Sequence, residues 1–339
     1  MNLTDPKYRD FFLVKEMLET PEILRNFDWN QAHETSREIA ETERLFLTGE
    51  GSSRIFPAKN AMALAMRSGV NICIRTDGSR QAHEYDLGDY AVFGASNSGR
   101  TKEVISLFGQ LKDRGHSKRY GLTANEGTKL EELSNECYIL SCGREEAVAA
   151  TKSVVEQALF YQALLGSMAE DRVSRGELDA LADMARQVLE AGLDADIVQA
   201  IADASLIHFA GRNDGVAEEL ALKTNEITRK KSAFLEGTYA VHGIEEVMDA
   251  DEVVIVVDPF PAEAGKFKEV LVDGVGLKVF AISSQETIFP TIRIPGSPDY
   301  DTYLQLLAGW NVLVHVGIAN GIDLDKPVRA RKVGNEFIV

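Results

Sequence analysis

Two short runs in this 339-residue chain have the make-up of anion-gripping turns: Gly49-Glu50-Gly51-Ser52-Ser53 and Ser96-Asn97-Ser98-Gly99-Arg100-Thr101. Each follows a short apolar run and precedes an amphipathic stretch, so each reads as the turn between a strand and a helix. Such a turn exposes unpaired backbone N–H groups at the positive end of a helix dipole, where a phosphate can sit. Hydroxyls of Ser52, Ser53, Ser96, Ser98 and Thr101 add donors, and Gly51 and Gly99 let the backbone approach closely. Serine and threonine at these places also serve as ordinary helix N-caps. Two such turns in one half of the chain favour a shared phosphate monoester. Gly49-x-Gly51 also opens like a dinucleotide fingerprint, but Arg54 stands where the third glycine is required, leaving only Asp77 to hold a ribose.

The elements that must position these turns alternate in character. Residues 6–43 read as two helices, the first with Phe11, Phe12, Val14, Met17 and Leu18 on a helical period. Then come an apolar run at 44–49, a helix near 53–68, apolar runs at 70–75 and 89–96, a helix at 101–114 and an apolar run at 118–124. Thr128-x-x-Glu131 has the form of a capping box, 137–142 reads as another strand, and a long helix near 149–169 closes the half. Strands alternating with helices predict an α/β protein with parallel sheets covered by helices. The second half repeats the first: Gly211 falls on Gly49 and Asp258 on Ser96, both 162 positions later, and Val279 falls on Tyr120, 159 later. Equal offsets over two strand–turn units predict a duplicated unit. Only the first copy carries hydroxyl-rich turns.

Composition narrows the partners. A formal charge of −17 argues against nucleic acid, whose binding rests on Lys and Arg neutralising phosphates. The three cysteines, Cys73, Cys137 and Cys142, form no Cys-x-x-Cys pair, and the six histidines show no ligand spacing, so no metal and no cofactor is expected. With no signal-like N-terminus and no uncharged apolar run of about 18 residues, the expectation is a cytoplasmic protein without a membrane span.

The run SNSGRT, together with EEAVAATKS (145–153), LALKTNEI (220–227), YAVHGIEEV (239–247) and GIDLDKPVRARKV (321–333), resembles the sugar isomerase (SIS) family. The likeness is to the isomerase part of glucosamine-6-phosphate synthase and to stand-alone phosphosugar isomerases and deaminases. It implies two tandem SIS-type, flavodoxin-like three-layer α/β/α domains: N-terminal helices at 1–43, a phosphate-binding domain at 44–172, a helical linker at 173–203, a second domain at 204–322, and a tail at 323–339 that completes the active site. Position by position, it implies that Gly51, Ser52, Ser53, Ser96, Asn97, Ser98 and Thr101 bind the phosphate. Glu226, with Lys223, would move a proton between C1 and C2 of the opened sugar. His242 would assist ring opening from a neighbouring subunit, making a homodimer, and Lys332 would engage the sugar carbonyl. Ala150 and Arg331 would line the sugar side. Ala150 stands where the synthase carries serine and Arg100 where it carries an acid. A start at Met1-Asn2 instead of a nucleophilic cysteine implies that no glutamine-hydrolysing domain is present.

The chemistry is sound from the residue types. Interconverting an aldose and a ketose needs one base to move a proton between adjacent carbons and groups to polarise the carbonyl. Glu226 and Lys223, three apart on a helix, share a face; taken alone, that spacing is an ordinary surface ion pair. His242, near neutral in intrinsic pKa, suits proton delivery, although it also fits a capping role at the start of a helix His242–Met248. A desolvated Lys332 can form an imine. With an amino sugar the same proton transfer yields an imine that water hydrolyses to release ammonia. The expected activity is therefore an amino-sugar-phosphate deaminase/isomerase, with simple ketose/aldose isomerisation or fructosamine-phosphate deglycation as alternatives. A non-catalytic sugar-phosphate sensor would keep the Ser/Thr turns without needing Glu226, His242 and Lys332 together.

Overall fold

The structure, a computed structural model, describes residues 1–170, 173–329, 336 and 337. It contains two five-stranded sheets. The first holds β1 (Arg44–Gly49), β2 (Cys73–Gly78), β3 (Ala91–Ala95), β4 (Arg119–Thr123) and β5 (Glu136–Ile139) in the order β2-β1-β3-β4-β5. The second holds β6 (Leu206–Gly211), β7 (Lys231–Glu236), β8 (Val253–Val257), β9 (Lys278–Ser283) and β10 (Thr291–Arg293) in the order β7-β6-β8-β9-β10. The strand pairs are parallel throughout. This 2-1-3-4-5 order, used in both sheets, is the flavodoxin-like one. The chain is thus two tandem three-layer α/β units, as the sequence predicts.

The compact units do not follow chain order strictly. One comprises Met1–Pro21, Ala147–Ala149 and Leu181–Arg329; the other comprises Glu22–Glu146, Ala150–Ala180 and the described part of the tail. In the latter, Phe46 and Val92 on one sheet face pack with Val104, Phe108 and Leu111 of the helix Lys102–Asp113. On the opposite face Phe93 stacks on Tyr120 with centroids 5.0 Å apart, and Tyr138 meets Phe160 at 4.8 Å, seating the helix Lys152–Met168. Strands buried on both faces explain the continuous apolar runs. In the other unit Val254, Val256 and Ala281 pack with Phe267 and Leu271. The helix Asp301–Ala319 is apolar and long enough to cross a membrane, but 83% of its most apolar window is buried. It is a core helix.

Sheet register matches between the units: Leu45 pairs with Ala91, and Ile207 pairs with Val253, each residue 162 positions later. For the next strand the ladder corrects the sequence alignment. Val92 pairs with Arg119 and its counterpart Val254 with Val279, an offset of 160 between β4 and β9 where matching Val279 to Tyr120 predicts 159. A strand buried on both faces has no polar alternation to fix its register, so a one-residue slip is invisible in the sequence.

Three local expectations also shift. The N-terminal stretch divides into Pro6–Arg9, Phe12–Asn26 and His33–Thr42. The strand expected at 70–75 runs Cys73–Gly78, because the ladder to β1 continues to Gly49–Gly78. The helix expected at His242–Met248 is instead two 3-10 turns, Tyr239–Val241 and Ile244–Val247, separated by Gly243 at φ 104°. That backbone region belongs to no right-handed helix.

Candidate active site

In a sheet of this order, β1 and β3 are neighbours whose chains leave in opposite directions, and the crevice beyond their carboxyl ends is the usual ligand position. Both hydroxyl-rich turns lie there. After β1, Gly51–Ser53 makes a 3-10 turn into the helix Ile55–Ser68; after β3, residues 96–101 lead into Lys102–Asp113. The strand ends that carry the turns approach closely: a Cβ on Gly49 would lie 2.9 Å from the Ala95 carbonyl oxygen. Neither helix start is capped by a side chain, at Arg54 or at Thr101. Thr101 Oγ1 instead pairs with the buried Ser96 Oγ at 2.7 Å, and Ser98 Oγ accepts from Arg100 N at 3.2 Å.

The second turn is held rigidly. Its Asn97 carbonyl accepts from Thr123 Oγ1 (3.1 Å), Ala124 N (3.1 Å) and Asn125 Nδ2 (2.8 Å). Gly99 sits at φ 64°, and a Cβ there would come within 2.4 Å of Thr128. Thr128 is itself fixed, accepting from Glu131 N at 3.3 Å as the expected helix cap. Gly99→Ala must therefore move the turn, and we expect about tenfold weaker inorganic phosphate binding by calorimetry with the fold retained, since left-handed strain costs about 1–3 kcal/mol.

Two carboxylates that the sequence did not single out organise this region. Glu145, fully buried, accepts from Asn97 Nδ2 (2.7 Å), Thr151 N (2.6 Å), Thr151 Oγ1 (3.0 Å) and Ser153 Oγ (2.6 Å). It ties the 96–101 turn to the segment that carries Ala150. Its donors lie at no regular helical or strand spacing, so periodicity gives no signal. Glu50, inside the first turn, accepts from Ser79 N at 2.9 Å. Burial, and then the Glu103 charge, push its carboxyl above the ordinary carboxylate range.

In the other unit, Glu226 and Lys223 lie on the helix Val216–Thr228. Their pairing is not the surface ion pair that the spacing alone predicts. Lys223 is 0% exposed, with Nζ 2.8 Å from Glu226 and 3.3 Å from Glu219, which is also 0% exposed; Glu226 is 31% exposed. Glu219, four residues before Lys223, was readable as a partner from spacing. The helix Asp301–Ala319 seats this one by close approach: a Cβ on Gly309 would lie 2.2 Å from Leu220. His242 is exposed and its Nε2 lies 3.1 Å from Thr238 Oγ1. Lys332 and Arg331 lie outside the described residues.

The second unit's turns differ in kind from the first unit's. Arg212, counterpart of Glu50, pairs with Asp258, counterpart of Ser96, at 2.5 Å, and its guanidinium lies 4.2 Å from the Phe260 ring centroid. An ion pair occupies the place that donors occupy in the first unit. Burial pushes the Cys137 thiol up to about 12 and Cys142 higher still, which suits neither to nucleophilic work. Among the described residues, no group of three or more His, Cys, Asp and Glu gathers to hold a metal ion.

Comparison with known proteins bears on this site. A family model described as the SIS domain matches residues 38–167, the stretch that contains both turns and most of the Lys152–Met168 helix. The glutamine–fructose-6-phosphate aminotransferase (isomerizing) of Mycolicibacterium smegmatis is 26% identical over 365 residues, covering 96% of this chain and 58% of that protein. The chain thus spans a little over half the length of that relative. The fold is shared with tagatose-6-phosphate ketose/aldose isomerase from Escherichia coli, at TM-score 0.78 and 20% identity, covering 96% of this chain and 98% of that one. It is shared likewise with glucosamine-6-phosphate deaminase from Thermotoga maritima, at TM-score 0.73 and 20% identity, covering 96% and 98%. Residues 38–167 match the SIS domain, and over nearly its whole length the chain is similar in sequence to an isomerizing aminotransferase and in fold to a ketose/aldose isomerase and a deaminase of sugar phosphates.

Proposed function

We propose that this protein is a phosphosugar isomerase/deaminase that converts an amino-hexose 6-phosphate to a ketose 6-phosphate and ammonia. The observation that carries the reading is the pair of hydroxyl-rich turns at the switch point, each leading into a helix whose N-cap residue makes no side-chain cap bond. Gly51, Ser52, Ser53, Ser96, Ser98 and Thr101 receive the phosphate, with Asn97 in the same turn. Glu226, kept in one rotamer by the buried Lys223, removes the C2 proton of the opened sugar and returns it to C1. The product is an imine at C2; water adds there and ammonia leaves. His242 delivers the proton for ring opening.

Lys332 engages the carbonyl, with Arg331 and Ala150 on the sugar side. The tail supports this assignment: Glu336 bridges to Thr101, and Phe337 N donates to the Arg100 carbonyl at 3.0 Å. Exposed Tyr239 and Val247 flank His242, at 52% and 72%. They support a homodimer in which His242 serves the neighbouring subunit, since exposed apolar side chains around a polar group are the make-up of an interface. The matching strand order and register of the two units support descent from one duplicated unit that kept its donors in the first copy only.

Incubating the protein with glucosamine 6-phosphate, fructose 6-phosphate, tagatose 6-phosphate and a fructosamine 6-phosphate, while recording ammonia and ketose, tests the reading. Ammonia and ketose in equal amounts from the amino sugar is the expected result. Isomerisation of nitrogen-free sugars alone would replace the deaminase with a ketose/aldose isomerase, and amine release from the adduct alone would make it a deglycase. Binding without turnover of any of them would make it a sensor.

A further inference from the structure

Phosphate oxygens accept hydrogen bonds, so a phosphate cradle needs donors. Asn97 is oddly committed for that purpose. Its Nδ2 donates to Glu145 Oε2 at 2.7 Å, while its Oδ1 has no partner among the described residues. The Glu145 carboxylate is buried and saturated by donors, with Thr151 N and Thr151 Oγ1 on Oε1 and Ser153 Oγ beside Asn97 on Oε2. An acceptor-only group at that place fixes which end of the Asn97 amide faces it.

We propose that Glu145 is a positioning residue that locks the Asn97 amide with its oxygen free, so that Asn97 reads a hydrogen-bond donor of the substrate, a sugar hydroxyl or ammonium, and leaves the phosphate to the serines and Thr101. This rests on the reading of the 96–101 turn as the sugar-phosphate site, and it revises the part of Asn97 in it. The side chain becomes a specificity determinant for the sugar.

Glu145→Gln isolates the effect. Thr151 N is a backbone donor that cannot invert, so the new amide must keep its oxygen there and turn its nitrogen toward Asn97 and Ser153. The Ser153 hydroxyl can rotate to accept, but Asn97 must flip and present Nδ2 outward. A second change restores the polarity: in N97D/E145Q the aspartate accepts from the glutamine and again offers an oxygen, with net charge unchanged.

The test is calorimetric titration of wild type, E145Q and N97D/E145Q with inorganic phosphate and with fructose 6-phosphate, plus thermal unfolding of each. In E145Q we expect fructose 6-phosphate to bind about tenfold or more weakly, since a mismatched buried polar group discriminates strongly, with phosphate affinity changed by less than about twofold. The double variant should regain most of the loss, the signature of a coupled pair. Equal weakening of both probes in E145Q, no weakening of either, or no recovery in the double variant overturns the proposal. If E145Q does not fold, the double variant decides alone: near-wild-type fructose 6-phosphate affinity supports it and lost affinity overturns it. Wild type binding neither probe would instead sink the underlying site reading, and this proposal with it.

Discussion

Glu226→Gln is expected to lower kcat by roughly 10²–10⁴-fold, the range that a positioned acid/base group contributes, while sugar-phosphate affinity stays within about twofold. The variant keeps the side-chain volume and can still accept a hydrogen bond from Lys223 Nζ, 2.8 Å away in the native protein. It loses the capacity to take a proton from carbon. The phosphate turns belong to a different compact unit from the helix Val216–Thr228, and Gln in place of Glu226 removes no donor from them. Steady-state kinetics on the substrate found in the panel, with phosphate titration alongside, gives both quantities. Full activity would remove Glu226 as the base, and lost affinity with retained kcat would make it a binding residue.

Lys223→Met should cost far more stability than a surface ion pair would. Lys223 and Glu219 are both 0% exposed and 3.3 Å apart, so deleting the ammonium removes a buried countercharge from the carboxylate. Breaking a buried pair in this way costs about 3–5 kcal/mol, against about 0–1 kcal/mol for an exposed one. Denaturant unfolding should show this loss in the single variant. Glu219→Gln added to it should recover part of the loss, because the buried charge that lost its countercharge is then gone. A loss below about 1 kcal/mol would mean that the pair is solvated and that Lys223 does not hold Glu226. The two variants separate the roles: E226Q should remove chemistry with stability retained, and Lys223→Met should remove stability first.

The duplicated strand cadence, the flavodoxin-like class and the two donor-rich turns were legible in the sequence because each depends on neighbours along the chain. Strands β1, β3 and β4 fall inside the apolar runs at 44–49, 89–96 and 118–124. The carboxylate Glu145 was not legible. Its donors at Asn97, Thr151 and Ser153 come together only when β3 and the helix Lys152–Met168 pack in one unit. The turns at Tyr239–Val241 and Ile244–Val247 escaped for a related reason, since the residue types fit a short helix and only Gly243 at φ 104° breaks it.

What the order of residues determined by itself is the periodicity of each element, the hydroxyl content of each turn and the shared helix face of Lys223 and Glu226, because these follow from the repeat of a helix or strand. Only the tertiary structure decided that Lys223 is buried, that Thr101 pairs with Ser96 instead of capping its helix, and that β9 sits one residue from its aligned register. Burial, partner choice and register are set by contacts between segments far apart in the chain, and no local pattern encodes which of several chemically acceptable partners packing will supply.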